Sequence, residues 1–216
     1  LFLNKGGWFS DGTPMSGLSS ISRSYTRFGT GFRDLNNDGF LDLYYSNGNV
    51  RLPELISDDD PYAEENVLVQ GNESGRFVEV FPKGGVANQI ARTSRGIAYG
   101  DVNGDGAMDI VVQNRDALPY LLINQNPGGG GFVKLRLINK YGAPVQDAVV
   151  RFTLGSTKMR REVRSSGGFC SAQDPVLHIG IGDEDLITDV EIYWPNGAKQ
   201  AIPDILIGKT VVIHQK

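Results

Sequence analysis

The stretches Asp34-Leu-Asn-Asn-Asp-Gly-Phe-Leu-Asp42 and Asp101-Val-Asn-Gly-Asp-Gly-Ala-Met-Asp109 share one pattern, D-x-N-x-D-G-x-x-D. Oxygen-bearing side chains stand at positions 1, 3, 5 and 9 of each stretch, and a glycine stands at position 6. A hard cation such as Ca2+ is held by about six to eight oxygen ligands, and carboxylates are preferred. Glycine takes the sharp turn that a β-carbon would hinder. The pattern therefore predicts two calcium loops; the alternative is a pair of Asx-rich turns that bind nothing.

The residues around the two stretches argue against an EF-hand. An EF-hand loop has a bidentate Glu at position 12 and a helix on each side. Position 12 is Tyr45 in the first stretch and Val112 in the second. Residues 41–45 and 108–112 are rich in β-branched, aromatic and other apolar side chains, which favours strands. We therefore expect the loops to join β-strands.

Composition favours an all-β protein. The 216 residues include 28 glycines and 10 prolines, as expected of short strands joined by tight turns, and 40% hydrophobic residues can fill a core. The net charge of −4 gives no sign of nucleic-acid binding, and no apolar run reaches the length of about 18 residues that a membrane span needs. The single cysteine, Cys170, excludes an internal disulfide, and we expect it to be a small buried residue. The acidic run at 57–60 predicts a solvated loop, with a weak ion site as the alternative.

The sequence repeats at an offset of 67 residues, the distance from Asp34 to Asp101. Leu1-Phe2 aligns with Leu68-Val69 at the same offset, and a third copy begins at residues 121–124. A multi-stranded repeat of about 60–70 residues has the size of a somewhat enlarged β-propeller blade. We therefore predict propeller-type blades over residues 1–126, in an incomplete set, a Gly-rich linker over 127–131 and a second domain over 132–216.

The repeats resemble FG-GAP/VCBS repeats, the calcium-loop blades of integrin α-chain propellers and of many bacterial secreted proteins. Phe28-Gly29 stands at the place of the Phe-Gly pair, whereas the second unit has Arg95-Gly96 there. The resemblance implies that each loop holds one Ca2+ ion through four side chains and the carbonyl oxygen at position 7. The implied ligands are Asp34, Asn36, Asp38, Asp42 and the Phe40 carbonyl for the first ion, and Asp101, Asn103, Asp105, Asp109 and the Ala107 carbonyl for the second.

The C-terminal part predicts a β-sandwich or small barrel, because apolar and polar residues alternate over segments such as 132–137, 148–153, 161–164, 189–194 and 210–214. This part resembles the ASPIC/UnbV domain through Ser166-Gly-Gly-Phe-Cys-Ser-Ala-Gln-Asp-Pro175, Leu177-His-Ile-Gly-Ile-Gly182 and Val190-Glu-Ile-Tyr-Trp-Pro-Asn-Gly197. Repeats followed by this domain resemble the cartilage acidic protein family and its bacterial relatives.

The remaining polar and aromatic residues give little support for catalysis. His178 lies between apolar neighbours, so we expect a structural histidine. We expect Trp194 to pack in the core, with stacking on a sugar ring as the alternative, and residues 155–162 to form a basic hairpin turn. No Ser/His/Asp order or paired acid and base carboxylates stand out. The sequence therefore indicates that the protein is not an enzyme.

The functional expectation is an extracellular, calcium-stabilised binding, adhesion or assembly module without nucleic-acid partners. The partner is expected to be a protein, a glycan or further copies of the chain, because two blades and a fraction leave strand edges that another chain can pair with. The strand-like start at Leu1 suggests a piece of something longer. The alternatives are a part of a secreted carbohydrate-active enzyme and a subunit of a self-assembling extracellular filament.

Overall fold

The prediction of an all-β fold is confirmed. The computed structural model describes residues 1–51, 60–88, 90–125 and 129–216. Its regular structure is almost entirely strand, and the helices in this part are short. No described helix has the length and apolar character needed to cross a membrane. The expected acidic loop at 57–60 falls, except for Asp60, outside the described residues, as do residues 127 and 128 of the expected linker.

The N-terminal part contains a hairpin, two antiparallel sheets and a short strand pair. Its strands are β1 (Phe2–Asn4), β2 (Phe9–Asp11), β3 (Arg27–Arg33), β4 (Asp42–Asn47), β5 (Glu64–Glu65), β6 (Val67–Gly71), β7 (Phe77–Glu79), β8 (Ala91–Arg92), β9 (Ser94–Gly100), β10 (Asp109–Asn114) and β11 (Tyr120–Leu122). Helices α1 (Thr13–Ser16) and α2 (Leu18–Ser22) and a 3-10 turn (Lys83–Gly85) connect some of them. The first sheet has the order β3-β4-β6-β7 and the second the order β11-β10-β9, while β1 pairs with β2 and β5 with β8.

The first two strands of one sheet, β3 and β4, are equivalent to β9 and β10 of the other. Strands β3 and β9 begin and end 67 residues apart, and so do β4 and β10. In each sheet one of the two predicted calcium loops connects this strand pair. The hairpin β1–β2 has the same pairing as β6–β7, since Asn4 faces Phe9 in one and Gly71 faces Phe77 in the other. We call the sheets β3-β4-β6-β7 and β11-β10-β9 the repeat sheets.

The repeat sheets pack face to face because glycines of β3 let a neighbouring strand approach. A β-carbon at Gly31 would lie 2.6 Å from the Tyr99 ring of β9. The Tyr99 hydroxyl donates to the carbonyl oxygen of Gly31 at 3.0 Å and is 3.3 Å from that of Tyr44. Burial raises the pKa of Tyr99, so its hydroxyl stays protonated as a donor. The buried residues of this core are Leu35, Tyr44, Ile97, Tyr99, Met108, Ile110 and Val112.

The C-terminal part is a β-sandwich. Its strands are β12 (Gly131–Ile138), β13 (Val149–Leu154), β14 (Thr157–Glu162), β15 (Val176–Gly182), β16 (Leu186–Tyr193), β17 (Lys199–Ala201), β18 (Ile205–Leu206) and β19 (Lys209–His214). One sheet has the order β15-β12-β19 and the other β14-β13-β16-β17, with β18 also paired to β16. Only β12 and β19 pair in parallel among these described strands. Alternate residues of β12, namely Val133, Leu135 and Leu137, are fully buried between the two sheets.

The structure makes one expectation for the sandwich more precise and corrects another. The expected hairpin at residues 155–162 is present, but only Gly155 and Ser156 form its turn, and the following residues continue as strand β14, which pairs with β13 along its whole length. The expectation of a buried Cys170 is wrong, because this residue is exposed. Cys170 has a positive φ of 47°, in a turn that packs the neighbouring Phe169 against Phe28 instead. Trp194 does pack in the core, with 3% of its surface exposed.

Replacing Gly29 by Ala should destabilise the stack of the repeat sheets. A β-carbon at Gly29 would lie 2.6 Å from the Arg95 carbonyl oxygen and 2.7 Å from Ser46 Oγ, and backbone cannot yield as a side-chain end can. We expect Gly29→Ala to lower the free energy of unfolding by about 1–3 kcal/mol in urea denaturation. Gly100→Ala is the control, since a β-carbon there has no neighbour within 4 Å. Equal effects of both substitutions would contradict this packing.

Candidate calcium loops at the junction of the repeat sheets and the sandwich

The first predicted calcium loop connects β3 to β4 and turns its oxygens toward its own backbone. Asp34 accepts hydrogen bonds from the amides of Asp38 at 3.1 Å and Gly39 at 2.9 Å. Asn36 Oδ1 accepts from the Asp38 amide at 3.2 Å, and Asp38 Oδ1 accepts from the Phe40 amide at 2.8 Å. The side chains at positions 1, 3 and 5 are therefore gathered by shared backbone donors.

The second loop, between β9 and β10, repeats this arrangement. Asp101 Oδ2 accepts from the Gly106 amide at 2.8 Å, as Asp34 does from Gly39. Asn103 Oδ1 accepts from the Asp105 amide at 3.1 Å, and Asp105 Oδ1 accepts from the Ala107 amide at 2.8 Å. The two loops thus have the same local fold, which follows from their common sequence pattern.

The aspartate at position 9 ties each loop to the third strand of its sheet. Asp42 accepts from the Leu35 amide inside the loop at 2.8 Å and from the Gly71 amide at the end of β6 at 3.0 Å. A carboxylate has about four lone-pair sites, so these two contacts leave acceptor capacity. The corresponding donors to Asp109 are the amides of Val102 at 2.8 Å and Asn124 at 2.8 Å.

The first loop concentrates negative charge in a buried place. Asp34 and Asp42 are 3% and 2% exposed. Burial, together with the charges of Asp38 and Asp42, raises the pKa of Asp34 to about 7. Burial also raises the pKa of Asp42 to about 6, although the Leu35 and Gly71 amides oppose this. Crowded carboxylates of this kind favour either a proton or a cation.

The second loop is more open and has a protein cation beside it. Burial tends to raise the pKa of Asp101, but the Lys134 ammonium and the amides of Gly106 and Gly104 more than offset this and lower it below the usual value. Lys134, on β12 of the sandwich, forms an ion pair with Asp101. The two loops are therefore alike in fold and different in charge balance.

The donor chemistry of both loops fits a hard cation. Each offers three carboxylates, one side-chain amide and a carbonyl at position 7 within nine residues, which is the kind of donor set that Ca2+ prefers. In the described part of the chain, however, no three Asp, Glu, His or Cys side chains are arranged as a metal-holding group. The amide of Asn36 donates to Asp38 Oδ2 at 2.8 Å, and Asn103 does the same to Asp105 at 2.7 Å. The loop oxygens therefore satisfy one another and the backbone.

Asn37, at position 4 of the first loop, connects four segments of the chain. Its Nδ2 donates to the carbonyl oxygens of Gly106 in the second loop, at 3.1 Å, and of Gly130, at 3.2 Å. Its Oδ1 lies 2.7 Å from His178 Nε2, and its carbonyl accepts from the Gly182 amide at 2.7 Å. Asn37 is 1% exposed and has a φ of 58°, a conformation that Asn tolerates better than most residues.

Two glycines allow the loops and the sandwich to touch. A β-carbon at Gly180, on β15, would overlap Asp34 and the Asn37 backbone. A β-carbon at Gly106 would overlap the ring of Phe132 on β12. The ring of Phe132 in turn stacks on His178, with ring centroids 5.9 Å apart. We call this region, where both loops meet β12 and β15, the junction.

Further contacts extend the junction along β3 and β14. Arg161 Nη2 donates to the Gly39 carbonyl of the first loop at 2.6 Å. The Phe169 ring packs edge-on against Phe28 at 5.2 Å, and the Arg95 guanidinium lies 3.9 Å from the centre of the same Phe28 ring. Phe28 and Arg95 occupy equivalent positions of the two repeats. Sequence reasoning did not identify Asn37, Lys134 or Arg161 as contact residues. Only the residue type of Asn37 was a signal, because Asn adopts a positive φ more readily than most residues.

Comparisons with known proteins give a family match for the C-terminal part and more distant relatives for most of the chain. Residues 141–216 match the family model described as ASPIC and UnbV, which supports the resemblance of the sandwich part to that family. Cartilage acidic protein 1 of Xenopus tropicalis is 25% identical over 247 residues, covering 91% of this chain and 38% of that protein. The human protein of the same name is 24% identical over 248 residues, covering 91% of this chain and 37% of that protein. The chain thus spans less than two fifths of the length of these relatives.

Removal of the Asn37 side chain should loosen the junction. Asn37→Gly retains the backbone conformation but leaves the Gly106 carbonyl and His178 without their partner. An unsatisfied buried polar group costs about 1–3 kcal/mol, and we expect a loss of that size in the free energy of unfolding measured in urea. Asp116→Gly is the control, because Asp116 also has a φ of 58° but its side chain is exposed. A loss no larger than in this control would contradict the role of Asn37.

The half-buried His178 should make the protein sensitive to acid. Burial lowers the pKa of His178 to about 4. The positive charges of Lys134 and Arg33 act in the same direction, and the negative charge of Asp101 opposes them. The unfolded state, with an ordinary pKa of about 6.5, binds more protons below pH 6.5, so stability is lost as the pH falls. Between pH 7 and pH 5 this loss amounts to about 2 kcal/mol.

The matched measurement compares the wild type with His178→Gln, which retains hydrogen bonding to Asn37 but does not titrate. We expect the wild type to lose about 2 kcal/mol relative to the variant between pH 7 and pH 5, as measured by urea denaturation. Parallel pH dependences of the two proteins would show that His178 titrates normally. The comparison cancels the titration of the loop carboxylates, since both proteins contain them.

Proposed function

We propose that this protein is an extracellular, calcium-stabilised binding or assembly module in which two Ca2+ ions order the loops of the junction. One observation carries the proposal: two loops of the same sequence pattern share one hydrogen-bond arrangement, and both lie against the sandwich. The proposed ligands are those named from the sequence, with Asp34, Asn36 and Asp38 in the first loop and their equivalents in the second. Each ion would neutralise the crowded carboxylates of its loop.

The chain's own residues explain why order in the loops matters. The first loop holds Asn37 in its left-handed conformation, and Asn37 bonds to the sandwich through His178 and Gly182. A loop that opened through repulsion among Asp34, Asp38 and Asp42 would release these contacts. The pKa values of Asp34 and Asp42 are raised mainly by burial and further by neighbouring carboxylates, which supports a physical cost of keeping these charges in the folded loop.

We further propose that the repeat sheets are FG-GAP/VCBS-type propeller blades. The four-stranded antiparallel order β3-β4-β6-β7 is that of a propeller blade, and β9 and β10 repeat its first two strands. The similarity of the chain to cartilage acidic protein 1, which extends over 91% of this chain and so includes these sheets, is consistent with one architecture for both.

The proposed location is supported by the general affinity range of extracellular calcium sites. Extracellular calcium sites bind with a Kd of about 10⁻⁴–10⁻³ M, which matches millimolar calcium outside the cell. We propose a protein or glycan partner, or assembly with other blades. Phe2, Trp8 and Phe9 of the β1–β2 hairpin are 72%, 61% and 65% exposed, which supports a contact at that surface.

The test is thermal unfolding at neutral pH in about 1 mM CaCl2 and in excess chelator. In about 1 mM CaCl2, an ion with a Kd of about 10⁻⁴–10⁻³ M is present at about 1–10 times its Kd, which adds about 0.4–1.4 kcal/mol of stability for each site. The two sites together then add about 1–3 kcal/mol, which corresponds to roughly 2–10 °C in Tm for a chain of this size. Asp38→Asn and Asp105→Asn should each remove part of this increase, and the double variant should remove nearly all of it. Asp116→Asn, outside the loops, should keep the full increase. An unchanged Tm in the wild type would reject the proposal.

A further inference from the structure

A cleft of 410 Å³ lies beside the junction, between the end of β3 and the strand β14 with the segment that follows it. Its size falls within the range of about 300–1,000 Å³ that is typical of small-molecule sites. The charged residues that line it are Arg33, Arg160, Arg161, Arg164, Asp34 and Glu162. Four arginines and two acidic residues thus border the cleft, and the lining carries a net positive charge although the whole chain is acidic.

Part of this positive charge is paired with carboxylates at close range, whereas Arg161 is attracted to Asp34 without forming an ion pair with it. Glu162 forms ion pairs with Arg164 at 2.9 Å and with Arg160 at 3.8 Å. Among the described residues, no carboxylate lies within ion-pair distance of Arg33 or Arg161. These two guanidinium groups come from different parts of the fold, one from a repeat sheet and one from the sandwich, and both border the same space.

Arg33 and Arg161 are also held in place, as a binding site requires. The Arg33 guanidinium lies 5.1 Å from the centre of the Tyr99 ring, and its Nη1 donates to the Phe32 carbonyl. Arg161 donates through Nη2 to the Gly39 carbonyl, but its buried Nε has no partner among the described residues. A buried donor without a partner costs about 1–3 kcal/mol, and an acceptor supplied by a ligand would remove this cost.

His178 adds an acceptor to the lining. Since the Asn37 amide nitrogen donates to Gly106 and Gly130, its Oδ1 must accept, and His178 Nε2 must be the donor in that contact. The neutral imidazole then has a lone pair on Nδ1, which is buried and has no described partner. The cleft therefore offers guanidinium donors for an anion, and His178 supplies an acceptor for a hydroxyl group that displaces the side chains now enclosing Nδ1.

We propose that this cleft binds a hydroxylated carboxylate, such as the uronate unit of an acidic glycan. Arginine forks match a carboxylate in geometry and charge, and the hydroxyl groups of a sugar acid can donate to His178 Nδ1. A neutral sugar lacks the charge, and a simple carboxylate lacks the hydroxyl donor. The inference adds a ligand class to the proposed binding module and does not depend on calcium binding.

The experiment is a titration of the ¹⁵N-labelled full chain with sodium D-glucuronate, followed by the Nε–H signals of arginine and the signals of His178. Acetate and glucose, at matched ionic strength, are the comparison ligands. We expect saturable shifts with glucuronate at millimolar concentrations, weaker binding of acetate and none of glucose. A glucuronate oligomer that binds more tightly than the monomer would identify a glycan chain as the source, and equal affinity a free sugar acid.

Substitutions decide whether the cleft is responsible. Arg33→Gln and Arg164→Gln should each weaken glucuronate binding by about tenfold, the loss expected for one charged hydrogen bond. Arg151→Gln is the control, since Arg151 is exposed on β13 and does not line the cleft. The absence of saturable shifts in the wild type would overturn the proposal. So would equal weakening by all three substitutions, or binding of acetate as tight as that of glucuronate.

Discussion

The hydrogen bonds of Asn37 are the interactions on which the arrangement of this molecule most depends. One buried residue joins the first loop to the second loop, to the start of β12 and to β15. Without it, the repeat sheets and the sandwich would still have separate cores, because the apolar residues of each cluster among themselves. What Asn37 fixes is their relative position. A polar group buried so completely must be fully bonded, and this requirement allows only one way to bring the four segments together.

The two loops show how one sequence pattern is adapted to two environments. The first loop is buried and lies against Gly180, and the Arg161 guanidinium donates a hydrogen bond to its Gly39 carbonyl. The second is more exposed, with the Lys134 ammonium on Asp101 itself. An ammonium that pairs with a proposed ligand competes with a metal ion for the same oxygen. The physical expectation is that the first loop, where no lysine or arginine forms an ion pair with the described carboxylates, binds a cation more tightly than the second.

Local pattern was enough to predict the all-β class, the strands beside both loops and most strands of the sandwich, because alternation and β-branched residues act over a few neighbours. Contacts between distant segments left no such trace. Lys134 alternates with buried residues as any outward residue of β12 does, and only the fold places it on Asp101. Cys170 was expected to be buried from its residue type, but a turn with positive φ exposes it. The sequence indicates that Gly106 lies in a turn and Gly180 in a strand. It does not indicate that they must lack a β-carbon, because that requirement comes from the residues of other segments that pack against them.

Two of the segments that resemble the ASPIC/UnbV domain, residues 166–175 and 177–182, contain residues that contact the repeat sheets and the first loop, and these contacts give them a physical role. Phe169 contacts Phe28, His178 and Gly182 contact Asn37, and Gly180 makes room for Asp34. These residues would have little reason to occur together in a sandwich that stood alone, since none of them belongs to its buried core. Their chemistry is instead complementary to the first loop and to β3. The sandwich and the repeats are therefore best regarded as one unit, in which the state of the loops and the shape of the adjoining cleft depend on the same contacts.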